Sequence, residues 1–205
     1  FAILIVRITT NSKSCHGDTE TQREAKDLSK GLKSKVFPLC LCASVAKESM
    51  INPPEIFTRI YTRHGHRCPM STLGGRLALA AMKLLGDSAG ELHAVYCNRT
   101  CATDGIAELT GCSEENGRLV VKSDGRHALT LTRSQAVVEV ELTAEALAMA
   151  GRYRSLCNRL ESGWEELAVD EQARRRAEMD ALLDELLPQF WQADDSQLVQ
   201  KIEVK

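Results

Sequence analysis

Leu119-Val120-Val121, the turn pair Asp124-Gly125, Ala128-Leu129-Thr130-Leu131-Thr132 and Val138-Glu139-Val140-Glu141-Leu142 read as three strands in succession. The last two runs alternate apolar and polar residues, the period of a half-buried strand, which puts Val138, Val140 and Leu142 on the buried face. Asp-Gly is a hairpin-turn signal, so the tract predicts a three-stranded meander. Upstream, Pro69 suits a first helical turn, where its missing N–H needs no partner. Leu73, Leu77, Ala80, Ala81 and Leu84 then repeat at helical spacing up to Gly86, on a helix apolar enough to be deeply buried. Leu92 to Tyr96 reads as a strand, and Cys101 to Leu109 as a short helix ended by Thr110-Gly111. Helix, strand, helix and meander make an α+β fold: a small mixed sheet backed by helices.

Residues 144–187 predict a helical hairpin broken near Ser162-Gly163, with Asp170 as the N-cap of its second helix. The stripe Met179, Leu182, Leu183, Leu186 and Leu187 either packs on the open face of the sheet or serves as a dimerisation arm. Leu198 to Val204 is a candidate edge strand. Residues 50–142 are therefore expected to be the core, and 143–205 a C-terminal helical extension. Residues 1–49 shift in composition and contain no methionine before Met50, so they are expected to be a non-core extension. The alternative is a variable helix and strand packed on the core.

The chain has 205 residues, 43% hydrophobic and 26% charged, enough for one mid-sized domain with an appendage. A net charge of −2 argues against nucleic acid or an anionic membrane as the main partner. No apolar run reaches the roughly 18 residues of a membrane-spanning helix. Cys68, Cys97, Cys101 and Cys112 share one tract with His64, His66 and His93, a pattern of metal ligation in a reducing compartment more than of disulfides. The protein is accordingly read as cytoplasmic.

Arg63-His64-Gly65-His66-Arg67-Cys68-Pro69 carries the chemistry. If the segment is extended, residues 64, 66 and 68 share one face and bring two imidazoles and a thiol together. Cys68 stands at a helix start, where unpaired N–H groups and the helix dipole favour a thiolate. Cys97, Cys101 and Cys112 fall at strand and helix ends. His66, Cys68, Cys101 and Cys112 are expected to converge on a metal, with His64 and Cys97 at the rim or as further ligands. Borderline and soft donors of this kind suit zinc first, with iron or nickel as alternatives. Asp104 and Cys68 are the candidate catalytic residues. His93, His127, Cys157, Cys15, Cys40 and Cys42 get structural readings.

These motifs resemble the FmdE family of formylmethanofuran dehydrogenase proteins. His64-Gly65-His66-Arg67-Cys68-Pro69 is similar to its His-Gly-His-x-Cys-Pro opening, and Gly74-Gly75-Arg76 follows. Cys101 to Ile106 with Thr110-Gly111-Cys112 resembles its Cys-x-x-Asp-Ala-Ile…Thr-Gly-Cys block, and Gly125-Arg126-His127-Ala128 its Gly-Lys-x-Ala turn. Met70 stands where the family usually has Gly, Cys97 where an acidic residue is common, and Glu114 to Gly117 replaces a Gly-Lys-Gly turn. With only Cys157 beyond residue 112, the four-cysteine zinc ribbon of many members is missing.

The resemblance implies a small mixed sheet backed by helices and, commonly, a homodimer. No ferredoxin-like cysteine cluster or pterin-binding signal marks the chain as the catalytic component of such a complex. The expectation is a metal-binding accessory protein linked to a molybdenum or tungsten enzyme complex. Two alternatives stand beside it. One is an enzyme, using a catalytic metal with Asp104 or His64 moving protons, or a Cys68–Cys101 redox pair. The other is an interaction module stapled by its metal.

Overall fold

The computed structural model describes residues 52–87 and 89–202. The non-core extension expected over 1–49 lies outside them. Helices α1 (Glu55–His64) and α2 (Pro69–Leu85) lead into strand β1 (Leu92–Tyr96), helix α3 (Ala102–Thr110) and strands β2 (Leu119–Val121), β3 (Ala128–Arg133) and β4 (Ala136–Leu142). Helices α4 (Ala144–Leu160), α5 (Val169–Gln192) and α6 (Asp195–Leu198) follow, and β5 (Val199–Ile202) closes the sheet. The α+β class and the C-terminal helix pair are as the sequence predicts. No described helix is long and apolar enough to cross a membrane.

The strand order is β2-β1-β3-β4-β5, which corrects the expected meander. β1 lies between β2 and β3, parallel to the first and antiparallel to the second. The physical reason is the crossover through α3, which returns the chain parallel to β1 on its free side. The six residues 122–127 then pass over the end of β1. There Lys122 N–H donates to Tyr96 O at 2.8 Å and Cys97 N–H to Ala128 O at 3.0 Å. Crossing one strand means spanning roughly 10 Å, two inter-strand spacings. Asp124-Gly125 does turn, with Gly125 at φ +85°, but it joins non-neighbouring strands.

Ala94, Tyr96, Leu129, Leu131 and Val140 form the covered face of the sheet, and α2 packs on it with Leu73, Leu77 and Ala81 fully buried. α3 lies across α2 with its backbone almost in contact. A Cβ on Gly74 would stand 2.1 Å from the Ala102 carbonyl oxygen, and one on Gly105 2.2 Å from that of Ser71. This approach brings the first turns of both helices, and so Cys68 and Cys101, side by side.

α4 and α5 pair, and α5 packs against α2 rather than on the open sheet face. Leu183, Leu186, Leu187 and Phe190 are buried there, so the stripe suspected of dimerisation is largely covered within the chain. Ala168, not Asp170, is the N-cap of α5, because the chain leaves its extended path one residue before Val169. Asp170 sits in the first turn, where its charge still complements the helix dipole. At the far end of α5, Arg76 is 6% exposed and donates to Phe190 O at 2.7 Å, Trp191 O at 3.1 Å, Ala193 O at 2.6 Å and Asp195 Oδ1 at 3.0 Å. A side chain of α2 thus caps carbonyls that a helix end otherwise leaves without partners.

Candidate metal centre

His64 is the last residue of α1, and Gly65, at φ +89°, ends the helix by donating its N–H to Tyr61 O. The chain then extends to Cys68, the N-cap of α2 at φ −148° and ψ 130°. Cys101 is the N-cap of α3. Two helix starts and one helix end therefore meet. One ring nitrogen of His64 and the Sγ atoms of Cys68 and Cys101 all lie within 4.8 Å of one another.

The imidazole is oriented from behind. His64 Nδ1 is 2.7 Å from Asp104 Oδ2, on the first turn of α3, with Arg63 Nε 4.0 Å from the other carboxylate oxygen. An ionised carboxylate only accepts, so Nδ1 carries the proton, and in the neutral ring Nε2 is then the nitrogen with the lone pair. His64 Nε2 is buried and has no hydrogen-bond partner among the described residues. This is the carboxylate–histidine arrangement that orients metal-ligating imidazoles.

The thiols are held in unequal states. A hydrogen bond from the Cys101 thiol, against the cost of burial and with help from the N–H groups of Ser71 and Met70, lowers the Cys68 pKa. The same bond, together with burial, raises that of Cys101. Of the two, Cys68 is the more acidic thiol.

The other expected ligands are not members of this trio. His66 is exposed, its ring 4.2 Å from that of His64 between centroids. Partial burial, then the neighbouring His64, lower its pKa and favour the neutral imidazole. Residues 64, 66 and 68 do not share a face, because His64 is helical and Gly65 left-handed. Cys112 is fully buried and donates its thiol to Leu92 O at 3.1 Å. Cys97, also buried, faces the 122–127 crossing, where Arg126 Nη2 donates to its sulfur at 3.6 Å. Burial, and next Asp124, raise its pKa.

A family model described as "FmdE, Molybdenum formylmethanofuran dehydrogenase operon" matches residues 63–200, the span that holds all three clustered side chains and the whole sheet. The chain belongs to the FmdE family. A "Probable S-adenosyl-L-methionine-binding protein" of Archaeoglobus fulgidus is 40% identical over 94 residues, which are 40% of this chain and 25% of that protein. The chain thus spans about a quarter of that curated relative. A tungsten formylmethanofuran dehydrogenase FmdE-like protein of Syntrophus aciditrophicus is similar at 23% identity and a TM-score of 0.47, covering 74% of this chain and 72% of that one.

In this FmdE-family chain, several side chains around the cluster carry no local sequence signature. Arg67 pairs with Asp180 at 3.0 Å and with Asp184, tying the loop of His66 to α5. Tyr61, Thr72 and Trp191 surround the N-cap that bears Cys68. Only the helical spacing of Ile56, Ile60 and Tyr61 ahead of Gly65 could have shown that His64 ends a helix.

Proposed function

We propose that this chain is a metal-binding accessory protein of the formylmethanofuran dehydrogenase context, with His64, Cys68 and Cys101 as its ligands and zinc as the first candidate metal. The observation that carries the reading is the buried Nε2 of His64, without a partner among the described residues, beside the sulfurs of Cys68 and Cys101. A lone pair without a partner in the interior is costly unless something binds it. The ligand atoms of tetrahedral zinc lie roughly 3.4–3.8 Å apart, given bonds of about 2.1–2.3 Å, so the trio needs only a small contraction.

Three protein donors leave a fourth position. His66, at the mouth, is the candidate for it, and otherwise it stays open to an exogenous ligand. A metal here would supply Lewis acidity at that position. Asp104 holds the His64 tautomer, and the helix start bearing Cys68 favours the anionic sulfur. Iron or nickel would suit the same donors. A cytoplasmic homodimer, and association with a molybdenum or tungsten enzyme complex, complete the proposal.

The site is read as functional, because the core of Leu73, Leu77, Leu129, Leu131 and Val140 closes without it. Replacing both Cys68 and Cys101 by Ser should abolish zinc binding, by metal analysis of untagged protein, while lowering the thermal midpoint only slightly. Unfolding of the wild type by chelator at room temperature would instead make the metal a staple and the chain an interaction module. Asp104→Asn should weaken zinc about 10- to 100-fold in competition with a chromophoric chelator, the usual cost of losing such a partner. Wild-type affinity in Asp104→Asn would remove the carboxylate from the site.

The proximity of the Cys68 and Cys101 sulfurs favours a second reading, a thiol-redox enzyme. Ready formation of a Cys68–Cys101 disulfide, in a protein that binds no metal under reducing conditions, would select it.

A further inference from the structure

Cys68 is an N-cap, so helical hydrogen bonding does not fix its own backbone angles. Three donors converge on its carbonyl oxygen: Thr72 N–H at 3.1 Å, Thr72 Oγ1 at 2.8 Å and Ser71 Oγ at 3.1 Å. Only the first is an ordinary helical bond. The Thr72 hydroxyl, buried, is itself 2.7 Å from Tyr61 Oη, and Trp191 Nε1 is 3.0 Å beyond.

The proton order follows from the chemistry of the groups. Indole N–H can only donate, so Tyr61 Oη accepts from Trp191. Thr72 gives its one hydroxyl proton to Cys68 O, so it must accept from Tyr61. The chain runs one way, from Trp191 on α5 through Tyr61 on α1 and Thr72 on α2 to the Cys68 peptide. Its origin is itself fixed: Trp191 stacks on Phe57 with centroids 6.3 Å apart, and Arg76 holds its carbonyl. Arg67, next to Cys68, is tied to the same helix α5 through Asp180 and Asp184.

We propose that Trp191, Tyr61 and Thr72 are positioning residues that set the direction of the Cys68 sulfur from α5. The proposal rests on the metal-centre reading, yet the geometry also predicts a metal-free consequence. Without the chain, Cys68 O keeps its helical bond and the Ser71 hydroxyl but loses the one donor tied to α5, and the sulfur wanders from Cys101.

The test compares Tyr61→Phe, Thr72→Val and Thr72→Ser with wild type, and uses Ile60→Val as a control that loosens the same core without touching a polar group. The first probe is cobalt(II), read by its thiolate charge-transfer band. Tyr61→Phe and Thr72→Val should shift that band and weaken binding about tenfold, the scale of a lost outer partner, while Thr72→Ser restores both. Ile60→Val should lower the thermal midpoint and leave the band unmoved. Wild-type bands and affinities in Tyr61→Phe and Thr72→Val would overturn the proposal, as would an equal shift in Ile60→Val.

The second probe is iodoacetamide on metal-free protein at one fixed pH, with modified Cys68 identified by peptide mass. Cys68 is 8% exposed, so reaction requires local opening. Alkylation should be about fivefold faster in Tyr61→Phe and Thr72→Val, the Boltzmann factor of one typical hydrogen bond. If wild type gives no cobalt–thiolate band, the metal reading fails, and this second arm decides the positioning role by itself. Unchanged alkylation then sinks it.

Discussion

Gly105→Ala is expected to destabilise the protein by about 3 kcal/mol or more, the upper range for overpacking. The new methyl group would stand 2.2 Å from Ser71 O, 2.5 Å from Gly75 N and 3.0 Å from the Gly74 carbonyl carbon. All three are backbone atoms, so no side chain can rotate away. Ordinary contact begins near 3.4 Å, so α2 and α3 must part by about 1.2 Å, the difference between 3.4 and 2.2. Cys68 and Cys101 begin those helices, and the same displacement draws them apart. Urea unfolding and chelator competition should therefore show losses of stability and of metal affinity together. Gly151→Ala is the contrast: nothing lies within 4 Å of its new Cβ on α4, and alanine favours a helix by about 1 kcal/mol over glycine. A wild-type midpoint for Gly105→Ala would mean that the two helices do not touch through their backbones.

Arg76→Leu should cost about 3–5 kcal/mol, the range for breaking a buried charged network. The guanidinium is the described donor to the carbonyls of Phe190, Trp191 and Ala193 at the end of α5. Leucine fills part of the volume but leaves those oxygens without a partner. Arg76→Lys keeps the charge and loses the planar fork, so it should fall between wild type and Arg76→Leu. Guanidinium chloride unfolding measures both. A loss below about 1 kcal/mol in Arg76→Leu would show that water replaces the fork at little cost.

How far the sequence shows this architecture depends on the range of each interaction. α2 is legible because its signals are local: Pro69 at the start, apolar residues at helical spacing and Gly86 at the stop, where φ is +73°. The strands are equally legible one by one. Their order is not, because nothing in Asp124-Gly125 records that β1 is already seated between the strands it separates. The convergence of Cys68 and Cys101 follows from two helix starts in a small domain, and the structure has them together. The choice between His64 and His66 turns on Gly65: a left-handed residue there reverses which imidazole faces inward. Spacing alone groups Cys112 with the others, whereas its thiol is turned to the Leu92 carbonyl. Arg76 gives no signal, because its partners are chosen by tertiary packing.

Those partners lie 114–119 residues further along the chain. β5 likewise finds β4 only after three intervening α-helices, with Leu142 opposite Val199. Folding must therefore close long loops before its most demanding polar contacts are made, a topology of high contact order and slow assembly. During synthesis, His64, Cys68 and Cys101 emerge well ahead of α5, while the Arg76 guanidinium still needs water. On the proposed metal-binding reading, metal arriving at that stage would meet its ligands on an unfinished scaffold, and correct loading would belong after the C-terminal helix has docked.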